Sequence, residues 1–271
     1  MLELPAPEDD GLKIPVVGSW SADKHHFLRR YIDAFTTAMK SKPWSGLHYI
    51  DLFAGAGIER IKGGNLDWGS PLIAAQAPHP FTQLHLCELS KKRHDALAAR
   101  LDKIKQPNKP QLIEGDANLR VADVVAALPP RSLSLAFLDP HGLHLHYTTL
   151  QCLSQRRVDL VVSFPDHLDA LRNWERYHND PDSNLDAVLG STLWRAEAEK
   201  HPERRADLLT RIYIEQIRKL GYSAFERERI SMPNGRFLYK LIFCSMHEVA
   251  ATIWRRVSQR KPDGQGSLDF G

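Results

Sequence analysis

Leu47-His48-Tyr49-Ile50-Asp51-Leu52-Phe53-Ala54-Gly55-Ala56-Gly57 reads as an apolar strand that runs into a glycine-rich turn. Glycine adopts positive φ without strain and lets a bound molecule approach the backbone. A strand that ends in such a turn, at the carboxyl edge of an open α/β sheet, is where nucleotide-like ligands bind. Asp51 places a carboxylate inside the strand. The third glycine of a dinucleotide G-x-G-x-x-G unit is missing, which argues against a pyrophosphate cofactor such as NAD. A polar loop with Gly63, Gly64 and Gly69 follows instead, and Ser70-Pro71 reads as an N-cap and first turn of the next helix.

Further strands follow, each ending in polar residues. Residues 82–87 form a second strand ending at Glu88, with Leu89 beside it. A carboxylate there accepts hydrogens from ribose hydroxyls, or stabilises a helix N-terminus. Residues 112–114 form a third strand, and Asp116-Ala117 after it either meets an adenine amino group or caps the next helix. Residues 132–138 form a fourth, ending in Asp139-Pro140-His141-Gly142, and residues 158–164 a fifth. Proline fixes the direction of the chain and leaves its carbonyl free.

Upstream, residues 1–20 carry prolines and the acidic run Glu8-Asp9-Asp10, and read as a flexible arm. Ser21 is the expected cap of a helix whose apolar face is Phe27, Leu28, Tyr31, Ile32, Phe35 and Met39. The polar start Asp23-Lys24-His25-His26 reads as a solvated first turn or as part of a site. Downstream, about 166–203 is a polar, weakly helical insertion whose Trp174, Tyr177 and Trp194 are expected to pack its own small core. A helix over 208–220 stops at Gly221, and two strands flank the hairpin turn Pro233-Asn234-Gly235. A basic helix ends the domain near residue 260, and 261–271 is a flexible tail.

The chain has 271 residues, net charge +3, 42% apolar and 25% charged content. These are the proportions of a globular protein with one sizeable core. Cys87, Cys152 and Cys244 are scattered, which fits neither a disulfide frame nor a zinc site. No signal peptide and no membrane-spanning run is visible, so no membrane association and a cytoplasmic location are expected.

This series of elements resembles a class I methyltransferase: a Rossmann-like α/β sheet of order 3-2-1-4-5-7-6, last strand antiparallel, with a helical insertion after strand 5. The sequence also resembles the bacterial three-Cys-motif partner family. The likeness rests on K-H-H-F-L-R-R-Y at Lys24 to Tyr31, Y-I-D-L-F-A-G-A-G at Tyr49 to Gly57 and G-S-P-L-I-A at Gly69 to Ala74. It continues with G-D-A-N at Gly115 to Asn118, L-A-F-L-D-P-H-G-L at Leu135 to Leu143 and Y-K-L-I-F-C-S at Tyr239 to Ser245. It implies S-adenosylmethionine as cofactor and S-adenosylhomocysteine as product. Phe53, Ala54, Gly55 and Gly57 would then pass the methionine part, with Asp51 orienting its amino group directly or through water. Glu88 and Leu89 would hold the ribose side, and Asp116 and Ala117 the adenine. Asp139 and the Pro140 carbonyl would accept hydrogens from a target amino group. Amino-methylating nucleic-acid enzymes usually place an aromatic next; His141 stands there instead, as a stacking group or a general base.

His141, His144 and His146 with Asp139 have metal-ligand chemistry, but their spacing is not diagnostic, and no metal is expected. Basic runs at Lys91-Lys92-Arg93, Arg156-Arg157, Arg204-Arg205 and Arg255-Arg256 would hold phosphates if they shared a face. Gln265-Gly266-Ser267-Leu268-Asp269-Phe270 resembles the peptide by which bacterial proteins bind the replicative sliding clamp. The reading is therefore a methyltransferase acting on nucleic acid, possible partners being a three-Cys-motif protein and the sliding clamp. The alternatives are a protein or small-molecule methyltransferase, or a non-catalytic partner subunit that keeps the fold.

Overall fold

The computed structural model describes residues 6–232, 235 and 237–259. In chain order its elements are β1 (Val16–Val17), α1 (Trp20–Met39), β2 (Leu47–Asp51), β3 (Ile58–Ile61), β4 (Leu66–Trp68), α2 (Ser70–Ala75), β5 (Gln83–Glu88) and α3 (Lys91–Leu101). There follow β6 (Gln111–Glu114), α4 (Ala117–Ala127), β7 (Leu133–Leu138), α5 (Tyr147–Leu153) and β8 (Val158–Phe164). The insertion is a π-helical turn (Asp166–Ala170), α6 (Trp174–Asn179), α7 (Asn184–Leu189) and α8 (Trp194–Lys200). After a short 3₁₀ turn come α9 (Arg205–Lys219), β9 (Ala224–Ser231), β10 (Phe237–Ser245) and α10 (Glu248–Ser258).

The main sheet runs β6-β5-β2-β7-β8-β10-β9, which is 3-2-1-4-5-7-6 in strand order. β10 is antiparallel to both neighbours, and the other neighbouring pairs are parallel. The sheet order expected from the sequence is present, with the helical insertion after the fifth strand. β2 is buried along its whole length, as a central strand covered on both faces must be. Along β7 the side chains alternate: Leu133, Leu135 and Phe137 meet α1, α2 and α10 on one face, while Ala136 and Leu138 meet α4, α5 and α9 on the other. Trp254 and Tyr31 close on Phe243 at 5.0 and 5.1 Å between ring centroids, which locks α1 and α10 to β10. Trp174 and Trp194 pack edge to face at 5.3 Å inside the insertion, and with Tyr177 they join the core on this face of the sheet, where a separate small core was expected.

Several local expectations give way to tertiary contacts. The polar loop after the glycine turn is a hairpin, with Ile58 opposite Trp68. β1 adds to its edge in parallel, making a separate three-stranded sheet. Residues 6–18, expected as an arm, are docked by a buried cation. Arg100 of α3 donates from Nε and Nη2 to both oxygens of Asp10 at 2.9 and 2.6 Å, and from Nη1 to the Lys13 carbonyl. Neither serine caps its helix: α1 starts one residue before Ser21, whose hydroxyl donates to Glu59 at 2.7 Å. Gly69 is the cap residue of α2, and the Ser70 hydroxyl donates to Asp51. A hydroxyl at a helix start is free to serve either purpose, and a buried carboxylate is the stronger acceptor. Gly221, at φ +94°, follows the end of α9 as expected. In the hairpin turn Gly235 donates to the Met232 carbonyl at 2.9 Å; Pro233 and Asn234 lie outside the described residues. The tail, with Gln265 to Phe270, also lies outside them. Among the described residues no helix is long and apolar enough to cross a membrane.

Asp10→Ala strands the Arg100 guanidinium, which is 3% exposed. Breaking a buried pair from one side costs about 3 kcal/mol; urea unfolding should show a loss of that order, and a loss below about 1 kcal/mol would mean the arm carries no load. A second test concerns Asp159 on β8, whose carboxyl burial pushes up from 3.8 to about 6, against a hydrogen bond from Ser245. A carboxyl raised in the folded state gives stability that is complete below about pH 4 and is lost as pH rises through about 6. Measured against wild type, which cancels the opposite slope from His48 (lowered to about 4 by burial), Asp159→Asn should gain about 3 kcal/mol between pH 4 and pH 7. A flat difference across that window would contradict the upward shift of the buried Asp159 carboxyl.

Candidate active site

The parallel strands deliver their last residues to one edge of the sheet. Asp51, Glu88, Asp139 and Asp166 all stand at or just beyond strand ends there. β10 enters the sheet from that same edge, since Lys240 pairs with Phe164. The turn after β2 is held by its own backbone groups. Phe53 N–H donates to Asp51 at 3.1 Å, Ala54 N–H to the Cys87 carbonyl at 2.9 Å, and Gly55 N–H to Glu88 at 2.9 Å. The Ala56 carbonyl accepts from Arg100 at 2.6 Å, and that of Gly57 accepts from Gly69 at 2.7 Å. Gly55 and Gly57 sit at φ +65° and +84°, where side chains are strained. They differ in surroundings. A Cβ on Gly57 would strike Leu72 and Leu97 at 2.9 Å, so that glycine serves helix packing. A Cβ on Gly55 would meet nothing within 4 Å, so that glycine faces open space.

Asp51 is fully buried, and Ser70 and Tyr49 hydroxyls donate to it at 2.6 and 3.4 Å. Burial pushes its carboxyl up to about 7, against hydrogen bonds from Ser70 and Phe53 that favour the charge. Asp51, expected to orient the cofactor's amino group directly or through water, has no exposed surface here, and its oxygens accept from Phe53, Ser70 and Tyr49. Its work is to pin α2 and the turn together. Glu88 is nearly buried too. One oxygen accepts from Ser90 N–H at 2.7 Å and from Arg93 at 2.7 to 2.8 Å; among the described residues the other accepts from Gly55 alone. A carboxylate offers about four acceptor positions, so the second oxygen keeps room for one hydroxyl donor.

A cavity of about 330 Å³ opens beside this carboxylate. Phe53, Glu88, Leu89, Asp116, Ala117 and His141 line it, so it collects expected residues from four strand ends. Leu89 is 66% exposed at its wall. Asp116 caps α4 by accepting from Asn118 N–H at 2.7 Å while still facing the cavity, so both readings of it are compatible. His144 and His146 face the same space, and His146 Nε2 lies 3.2 Å from the Asn184 side-chain oxygen. Among the described residues no group of three or more histidine, cysteine or acidic side chains is placed to hold a metal.

A second cavity, about 240 Å³, contains Asp139, Pro140 and His141, so His141 belongs to both. Lys24 of α1 ion-pairs with Asp139 and lies over the Tyr239 ring, 5.2 Å from its centroid. Burial alone would raise the Asp139 carboxyl, but the Lys24 ammonium holds it below the usual carboxylate range. Among the described residues nothing donates to the Pro140 carbonyl. The base of α1 is anchored to the hairpin by Arg29, which pairs with Asp67, and by buried His25, 3.5 Å from the same carboxylate. Burial opposes the charge on Asp67, yet His25 and Arg29 bring it down to about 2.

Tyr239 lines the Asp139 cavity although the sequence suggested no role for it, and Lys24 takes the second of the two readings left open for the start of α1. A signal for Lys24 was present: it stands four residues before Leu28 and seven before Tyr31, on the face that enters the core, where a cation needs a partner. The four basic runs do not all share a face. Arg93 pairs with Glu88, Lys91 with Asp95, and Arg255 with Glu226 on β9. Arg156 and Arg157 precede β8 at the opposite edge of the sheet, where Arg157 covers Trp44.

No protein-family model matches the chain, and no curated protein matches it. Solved structures do. The protein LPL1258 from Legionella pneumophila str. Philadelphia 1, described with the family model DUF519, is 13% identical, with 91% of this chain and 95% of that chain covered and a TM-score of 0.52. Cofactor-bound Rv0187 from MTB is 12% identical over 84% of this chain and 81% of that chain, with a TM-score of 0.49. An O-methyltransferase from Bacillus cereus, solved in complex with SAH, is 9% identical over 82% and 80%, with a TM-score of 0.48. The first likeness is one of fold, and the strand order of the main sheet is the Rossmann-like order of class I methyltransferases.

Proposed function

We propose that the protein is an S-adenosylmethionine-dependent methyltransferase that releases S-adenosylhomocysteine, and that its acceptor is an amino group of a nucleic-acid base. The observation that carries this reading is the pair of cavities meeting at His141, one ringed by Glu88, Leu89 and Asp116, the other by Asp139 and Pro140. The residues fit the cofactor on four counts. The first cavity, about 330 Å³, lies within the ~300–1,000 Å³ of ordinary ligand sites. Leu89 offers an uncovered apolar side chain for a flat ring. Glu88 retains an acceptor position for a ribose hydroxyl. The space in front of Gly55 is open. The resemblance to the three-Cys-motif partner family agrees with this assignment.

Bound S-adenosylmethionine supplies an electrophilic methyl group on a sulfonium. The protein supplies alignment and charge. The Asp139 carboxylate, kept ionised by Lys24, and the unengaged Pro140 carbonyl accept the two hydrogens of an amino group and so fix the direction of its lone pair. His141 stands between the cavities and is exposed, so it is placed to pass the proton shed by the alkylated nitrogen to solvent. A small-molecule acceptor is the second reading, favoured by the dispersal of the basic runs.

Calorimetric titration with S-adenosylmethionine should show micromolar binding, weakened at least about tenfold by Gly55→Trp, which fills the open turn, and by Glu88→Ala. A folded wild-type protein that binds neither S-adenosylmethionine nor S-adenosylhomocysteine would sink the assignment. In assays with methyl-labelled cofactor across RNA, DNA and protein, Asp139→Asn and Lys24→Met should each lower kcat by roughly 10² while cofactor affinity stays within about twofold. Label appearing in protein or small molecules and not in nucleic acid would replace the first reading by the second.

A further inference from the structure

A third cavity, about 430 Å³, lies between the insertion and the outer hairpin, lined by residues of the π-helical turn, α6, α9, β9 and β10. Tyr239 lines both this cavity and the Asp139 cavity, so the two share a wall. Its charges are unevenly matched. Lys240 is compensated by Asp166 at 2.9 Å and Asp207 at 3.1 Å. Glu203 and Arg204 lie 3.9 Å apart. Arg205 and Arg229 have no carboxylate within ion-pair distance among the described residues, though the Arg229 charge is felt at Asp207. Their contacts are aromatic faces: Arg205 stacks over Trp174 at 4.2 Å and Arg229 over Phe237 at 5.0 Å. The Nε of Arg205 is buried and has no hydrogen-bond partner among the described residues.

A guanidinium laid on a ring is held by the face of its plane, which leaves the N–H donors at its edge unused. Two such groups facing one cavity, with the nearby carboxylates already spent on Lys240 and Arg204, form a preorganised site for an oxyanion. A phosphate group fits best, since its charge and several acceptor oxygens match paired forks. We infer that this cavity is a phosphate subsite of the acceptor site, in which Arg205 and Arg229 grip a phosphate attached to the nucleotide whose base enters the Asp139 cavity past Tyr239. The inference rests on the proposed methyltransferase reading, and names where the backbone of the acceptor is held.

Fluorescein-labelled single-stranded RNA and DNA octamers, each with S-adenosylhomocysteine present, test it by anisotropy across a range of salt. Wild type should bind one of them, and Arg205→Ala/Arg229→Ala should weaken that binding at least about tenfold and lower the salt slope by about 1.4, or about 0.7 per lost contact on a single strand. Because Arg205 is partly buried over Trp174, exposed Arg229→Ala and Arg229→Lys are measured alone: loss of the fork should weaken binding in both, with part retained by lysine. Arg255→Ala, on the far face, should leave binding unchanged. Adenosine monophosphate competing as tightly as the octamers would assign the same subsite to free nucleotides. Octamer binding untouched by the arginine variants, or no binding of any phosphate probe, would overturn the inference. Titration of S-adenosylhomocysteine alone separates this from failure of the cofactor reading: unaltered affinity in the arginine variants leaves that reading standing, whereas no affinity in wild type removes it.

Discussion

The backbone of the turn from Phe53 to Gly57 is tied to the rest of the protein from several directions. Asp51 holds its start, β5 its middle through Cys87 and Glu88, and Arg100 and Gly69 its end. Buried peptide groups must be paired, and this turn finds its partners in neighbouring elements. The site's shape follows from how this chain meets that demand. Glu88 is drawn to the cavity edge because Gly55 needs an acceptor. Arg100 shares Nη1 between the turn and the Lys13 carbonyl and gives Nε and Nη2 to Asp10, so that segment, with β1 and the hairpin, becomes part of the wall around Asp139.

The second tie is the pair formed by Lys24 and Asp139, 115 residues apart in sequence. A lysine on the core face of α1 would be costly alone. Placed against the carboxylate after β7, it keeps that carboxylate charged where burial would neutralise it. The same contact sets the depth at which α1 seats over the sheet. Stability and the proposed chemistry thus draw on one interaction, and Tyr239 beneath it joins the Asp139 cavity to the arginine cavity beyond.

Legibility from sequence followed the range of the interaction. The strand ends and their acids were readable because strand, turn and acid lie within a few residues of one another. The strand order and the insertion were readable from the succession of elements. The hairpin β3-β4 was not, since its strands are short and polar and exist because β1 and α1 cover them. Ser21 and Ser70 were assigned as caps by a local rule, but carboxylates on other elements, half-buried Glu59 and buried Asp51, claimed their hydroxyls. The basic runs suggested one face, and the fold spread them over opposite edges.

The sequence by itself determined the sheet and the set of groups at its carboxyl edge, because backbone periodicity, positive-φ glycines and strand-end acids are local properties. Only the tertiary structure decided what those groups do. It buried Asp51 behind the turn, left one oxygen of Glu88 available, charged Asp139 through Lys24, and set Arg205 and Arg229 on aromatic faces around a shared cavity. Each of these depends on a partner distant in the chain, and the electrostatics of a buried group are set by the partner that folding brings to it.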